Sequence, residues 1–143
     1  MKKENNQNDL LRLFEGIWLI SPSGNIAYAK VVAGKLLIPN SRSEESKLAG
    51  HYFNCQLIGN KLACRFERFE PYKAGIIFLR LGPNHTLHGG WCLDENLPPE
   101  FQKDISLIPD DFPKMIRCVW IRMAKAKIPR WAKEYFKKDS SEK

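Results

Sequence analysis

Between Gly16 and Leu93 apolar and polar residues alternate in short runs broken by turn-forming residues. That period of two is the signature of half-buried antiparallel strands. The clearest stretch is Lys47–Phe69, with Gly59-Asn60 as a two-residue hairpin turn. In that register Leu57 faces Leu62, Cys55 faces Cys64 and Phe53 faces Phe66, so one face is wholly apolar. Tyr52 with Glu67, Asn54 with Arg65 and Gln56 with Ala63 make the other face. A slip of one residue would exchange the two faces, so the pattern fixes the pairing.

Similar hairpins flank this one. Asn25–Val32 pairs with Lys35–Pro39 across Ala33-Gly34, and Ala74–Gly82 with Thr86–Leu93 around Pro83-Asn84. Ile17–Ile20 makes a first short strand before the turn Ser21-Pro22-Ser23-Gly24, and Ser41–Ser46 is a polar loop. Residues 94–114 hold four prolines and read as a long connection. Met115–Met123 follows, rich in β-branched and aromatic residues, and reads as an eighth strand with helix as the alternative.

Eight sequential antiparallel strands are expected to close into a small up-and-down β-barrel, either filled by its side chains or holding one small ligand. Leu10–Phe14 is expected as a short helix leading into the first strand. Pro129 is suited to start a helix through about Lys138, with Trp131 and Tyr135, and Ala132 and Phe136, spaced to form one apolar side.

The length of 143 residues with 43% apolar composition fits a single domain able to bury one core. The expected organisation is a flexible polar segment over 1–9, a barrel over 10–123, a basic helical region over 124–138 and a flexible tail over 139–143. No apolar run approaches the ~18 residues of a membrane span, and no apolar stretch backs the charged N-terminus. A soluble cytoplasmic protein is the expectation.

Charge adds an asymmetry. Lys114–Lys143 holds ten bases against three acids, whereas the preceding residues hold thirteen of each. A neutral body with a basic end suggests a polyanionic partner, either nucleic acid or an anionic membrane surface. The candidate contacts are Arg122, Lys125, Lys127, Arg130, Lys133 and Lys137, interleaved with Trp131, Tyr135 and Phe136. Cation plus ring is the pairing that suits phosphate contact with base stacking. It also suits a helix lying on an anionic bilayer. The plainer reading has the aromatics capping an open end of the barrel while the lysines face water.

Candidate chemistry is sparse. Cys55, Cys64, Cys92 and Cys118 lack zinc-type spacing, and His85 and His88 are expected on opposite strand faces. No phosphate-binding loop or nucleophile motif is present, and no cofactor or metal is expected. The 55/64 pair falls at a non-hydrogen-bonded site, where Cα atoms approach to about 4.5 Å. That is at the short end of what a disulfide accepts, while a cytosolic setting argues instead for two reduced thiols serving as small core hydrophobes. His51, Glu67 and Glu70 are expected near one another at one end of the long hairpin, as solvated charge and not as a catalytic group.

A short helix followed by Gly16-Ile17-Trp18 at the start of an eight-strand meander resembles the calycin superfamily, the lipocalin and fatty-acid-binding type of barrel. In lipocalins the tryptophan of a G-x-W motif packs beneath the barrel against an arginine near the last strand. Gly16 and Trp18 match the first part, and Arg117 or Arg122 would supply the second. The T-D-Y signature of lipocalins is missing here, and the proline-rich connection has no counterpart. The resemblance implies a non-enzymatic binding protein with a small, mostly apolar ligand in the barrel. Trp18, Phe53, Leu57, Phe66 and Trp91 are the interior candidates. An anionic, nucleotide-like ligand would instead need a cation at the barrel mouth, for which Arg65, Arg68, Arg80 and Arg122 qualify by type. A protein partner stays open as well.

Overall fold

A computed structural model describes residues 9–124 and 126–141, with side chains to residue 137. Most of the polar N-terminal segment, Lys125 and the end of the tail lie outside the described residues. A helix α1, described over residues 9–12, leads into β1 (Gly16–Ser21), β2 (Ile26–Val32), β3 (Lys35–Ser41) and β4 (Gly50–Ile58). There follow β5 (Lys61–Phe69), β6 (Tyr72–Gly82), β7 (Thr86–Leu93), α2 (Pro99–Lys103), β8 (Ile116–Arg122) and α3 (Arg130–Ser141). All eight strands pair antiparallel with their sequence neighbours, and β8 returns to pair with β1, closing the barrel.

Residues 116–122 are therefore strand, and the reason is their position. Each flank of β8 has a partner, Leu87 opposite Trp120 on one side and Ile20 opposite Trp120 on the other. The Ala33-Gly34 turn has both residues in the left-handed region, at φ 53° and 80°, as a tight hairpin demands. At the β6–β7 turn the left-handed residues are Asn84 and His85, so the loop is one residue longer than the Pro83-Asn84 pair suggests.

The expected register of the β4–β5 hairpin holds only near its turn. Gln56 pairs with Ala63 and Leu57 with Leu62, but Phe53 pairs with Arg65 and Tyr52 with Phe66. A β-bulge intervenes: Asn54 and Cys55 together oppose Cys64, and Asn54 sits at φ 49°. Everything N-terminal to the bulge is turned over. Tyr52 joins the barrel interior against Phe66 and Trp120, whereas Phe53 lies outside with its ring stacked at 4.8 Å on His51. Phe53 is thereby corrected from interior to exterior.

The interior core runs from Leu11 and Phe14 at the α1 end through Trp18, Leu36, Ile38, Leu62, Ile77, Leu79 and Leu87 to Trp120. Two further clusters lie on the outer wall. The proline-rich connection folds over β5 and β6, placing Leu97, Ile105 and Ile108 on Ala63, Ile76, Phe78 and Cys92. This explains why β6 is buried on both faces at its centre. Asp110 holds the connection in place through Lys61 at 3.0 Å and Arg80 at 2.9 Å. The second outer cluster seats α3: Trp131 and Ala132 pack with Ile17 and Ile26 of β1 and β2.

Candidate functional site

The two ends of the barrel differ. At the α1 end, Trp18 is 1% exposed and donates its indole N–H to the Phe14 carbonyl at 2.9 Å. The Arg122 guanidinium lies 4.3 Å from the Trp18 ring and donates to the carbonyls of Leu13 and Glu15. Gly16, at φ 133°, passes against that guanidinium, leaving no room for a side chain. This end is a sealed floor. Arg122, one of the polyanion candidates, is committed to it, and Arg117 is not the partner of Trp18. Leu57 also lies toward this end, opposite Leu62.

The opposite end, formed by the β1–β2, β3–β4, β5–β6 and β7–β8 connections, is incompletely filled. A cavity of about 170 Å³ opens there, walled by Tyr52, Phe66, Ile77, Trp91, Cys118 and Trp120, with Asn40 and Arg68 at its rim. Of the sequence-derived interior candidates, Phe66 and Trp91 line this space, whereas Trp18 and Leu57 belong to the packed half. Tyr52, Ile77 and Trp120 were not legible as site residues. For Tyr52 the only warning in the sequence is Asn54, a residue type that tolerates the left-handed backbone a bulge requires.

Glycine permits close packing in the barrel wall. Gly75 lies opposite Phe66, whose ring occupies the space a Cβ there would need. Gly89 faces Leu79 across the ladder, and a Cβ on it would strike the Phe78 carbonyl. Close strand approach is thus the role of Gly89.

The polar groups of the cavity are few and oriented. The buried indole Nε1 of Trp120 has no hydrogen-bond partner of ordinary geometry, in a residue only 1% exposed. Its nearest soft acceptor is the Cys118 sulfur, whose thiol is pushed up to about 11 by burial, with the indole acting the other way. Burial raises the Tyr52 phenol strongly, the neighbouring cysteines adding to the effect and Arg68 opposing it. At the rim, the Arg68 guanidinium stacks over Trp91 at 5.0 Å and Phe66 at 5.6 Å. Of the four arginines suited to a barrel mouth, only Arg68 is at one. Arg65 and Arg80 are tied to the connection through Asp94 and Asp110, and Arg122 is in the floor.

A wider, open cleft of about 920 Å³ lies outside the barrel, between α3 and the loop before β4. Glu44, Glu45 and Glu134 line it beside Lys47 and Arg130, so its charge is mixed. Beneath it runs a hydrogen-bonded chain: Tyr135 to His51 at 2.8 Å, His51 to Glu67 at 2.8 Å, and Tyr72 donating to Glu67 at 3.1 Å. The His51 bond, with that of Tyr72 after it, lowers the Glu67 carboxyl below the usual range. Both ring nitrogens of His51 are occupied, which makes it a tether between α3 and the barrel wall. Glu70 lies apart from this chain and pairs with Lys47.

The aromatic residues of α3 are turned inward. Trp131 donates to the Ser43 carbonyl at 2.9 Å, Phe136 meets Tyr28 edge-on at 5.5 Å and Tyr135 contacts His51. They cover the outer wall and do not cap the barrel end. Lys127, Arg130, Lys133 and Lys137 are exposed, and Arg130 is 3.3 Å from Glu134. Lys125 lies outside the described residues. Among the described residues, no helix is long and apolar enough to cross a membrane. Comparisons with protein-family models, curated proteins and solved structures find no match. The closed eight-strand meander is compatible with a calycin-like fold.

Proposed function

We propose that this protein is a non-enzymatic, cytoplasmic binding protein of calycin-like type that takes a small, flat, mostly apolar ligand into the open end of its barrel. The observation that carries this reading is the aromatic cavity whose wall includes a buried Trp120 indole N–H with no strong acceptor. A buried donor held only by a weak thiol acceptor is under-satisfied, so a ligand bearing a carbonyl or carboxylate oxygen would recover part of the roughly 1–3 kcal/mol such a donor costs. Size narrows the class. A cavity of 170 Å³ resembles the ~150 Å³ engineered cavity that accommodates benzene, and lies below the ~300 Å³ at which drug-sized sites begin. One- or two-ring compounds carrying a carbonyl or carboxylate fit it, and a nucleotide or long acyl chain does not.

The test is a calorimetric and thermal-shift series with benzoate, naphthoate and the corresponding hydrocarbons. Binding of the acceptor-bearing compounds should fall two- to tenfold in Trp120→Phe, with the hydrocarbons little affected. No binding by any member of the series would overturn the reading.

The exposed Lys127, Arg130, Lys133 and Lys137 support a second, weaker reading. With the rings of α3 turned inward, that face offers charge without stacking. It would bind nucleic acid or anionic lipid without sequence preference, and the affinity would drop steeply with salt, whereas the barrel ligand would respond little.

A further inference from the structure

The β-bulge that inverts the hairpin register also brings two cysteines together. Asn54 and Cys55 jointly oppose Cys64, and the two sulfurs lie 2.6 Å apart. Both are free thiols in direct contact, the Cys64 thiol donating to the Cys55 sulfur. The two sites differ in access. Cys64 is completely buried, whereas Cys55 is half-buried beside the exposed Asn54. The strand carrying Cys55 is open on one side: β3 and β4 pair only through Ile38–Tyr52, Pro39–His51 and Asn40–Gly50. From Asn54 to Ile58 the ladder of β4 is with β5 and not with β3, and Cys55 there packs on the interior core while keeping part of its surface exposed.

We infer that Cys55 and Cys64 form an oxidant-responsive pair, in which Cys55 reacts first with a small hydroperoxide and Cys64 resolves it as an intramolecular disulfide. In the first step the Cys55 sulfur attacks one peroxide oxygen. An S–O bond forms, the O–O bond breaks, and the other oxygen leaves as an alcohol or water carrying the thiol proton. The product is a Cys55 sulfenic acid. In the second step the Cys64 sulfur attacks that sulfur. The S–S bond forms, the S–O bond breaks, and hydroxide leaves with the Cys64 proton as water. Two electrons pass from the two sulfurs to one hydroperoxide. Burial and the adjacent Cys55 thiol raise Cys64 well above an ordinary thiol, which disfavours it as the first nucleophile; its contact with Cys55 is what places it for the second step. Cys92 and Cys118 have no sulfur neighbour among the described residues and stay reduced. Neither cysteine lines the barrel cavity, although both belong to the interior core that walls it.

The experiment is hydrogen peroxide treatment of the native protein, alkylation of remaining thiols, and tryptic mass spectrometry. Cleavage after Lys61 and Arg65 places the two cysteines in different peptides. The expected product is a cross-linked Cys55–Cys64 pair about 2 Da lighter than the two thiol peptides, reversed by dithiothreitol, with Cys92 and Cys118 alkylated. In Cys64→Ala, Cys55 should instead be trapped by dimedone as the sulfenic acid. Retention of all four thiols in the wild-type protein, over-oxidation of Cys55 without a cross-link, or a cross-link between other cysteines would each overturn the inference. The wild-type mapping decides the matter even if the Cys64 variant does not fold.

Discussion

Single residues do the positioning at both ends of this barrel. Arg122 stacks on Trp18 and closes two carbonyls of the segment entering β1, so one guanidinium joins the first strand, the last strand and the N-terminal segment. A cation–π contact of this kind and hydrogen bonds from a charged donor together contribute about 2 kcal/mol. Arg122→Ala should lower the melting temperature by several degrees, and Arg122→Lys should recover only part of the loss, because an ammonium cannot stack and fork at once. Unchanged melting of Arg122→Ala would show that the floor is held by apolar packing alone. The sequence offered both Arg117 and Arg122 for this role. The strand period places Arg122 with Cys118 and Trp120 on the inner face, and only the barrel's closure reveals which arginine reaches Trp18.

At the scale of elements, two attachments to the outer wall depend on ionised carboxylates. Asp110 fastens the proline-rich connection to Lys61 and Arg80, and Glu67 fastens His51, which in turn meets Tyr135 of α3. Asp110 is lowered chiefly by its bonds from Lys61 and then Arg80, and Glu67 chiefly by His51. A carboxyl that titrates lower when folded adds stability above its unfolded-state value, and loses that contribution as the pH falls through the folded value. Stability should therefore decline as the pH drops below about 4.5, the ordinary carboxylate range. Melting curves between pH 7 and 3 should show a shallower decline for an Asp110→Asn, Glu67→Gln double variant than for the wild type. Parallel curves would mean that these attachments add no net stability, which is plausible on general grounds only for pairs as exposed as Lys47–Glu70. The aromatic side of α3 was legible from spacing, but its destination was not. Ile17, Leu19, Ile26 and Tyr28 form an apolar outer patch on β1 and β2 that is recognisable only after each strand's inner face is known.

For the whole molecule, the decisive features are a barrel closed all round, packed in one half and hollow in the other, with one weak seam. The seam is the short β3–β4 ladder. Amides of β4 between Asn54 and Ile58 that point toward β3 lack ladder partners there, so they should exchange with deuterium much faster than amides of β5 and β6, which pair along their whole lengths. Uniform protection across β4, β5 and β6 would show that the two strands close up in solution. Cys55, partly exposed, lies beside that seam, and the hollow half supplies the ligand cavity. Neither follows from the meander itself.

The sequence alone determined the number of strands, their order and nearly all their limits, because alternation, turn residues and hairpin length are local properties that each segment carries by itself. It also determined the pairing nearest the β4–β5 turn, Gln56 with Ala63 and Leu57 with Leu62. What only the tertiary structure decided are the features that depend on one segment meeting another. These are the bulge at Asn54 that sends Tyr52 inward and Phe53 outward, the choice of Arg122 over Arg117, and the inward turn of Trp131, Tyr135 and Phe136. The cavity belongs with them, since it is the space left over when eight inner faces are brought together, and no single strand encodes it.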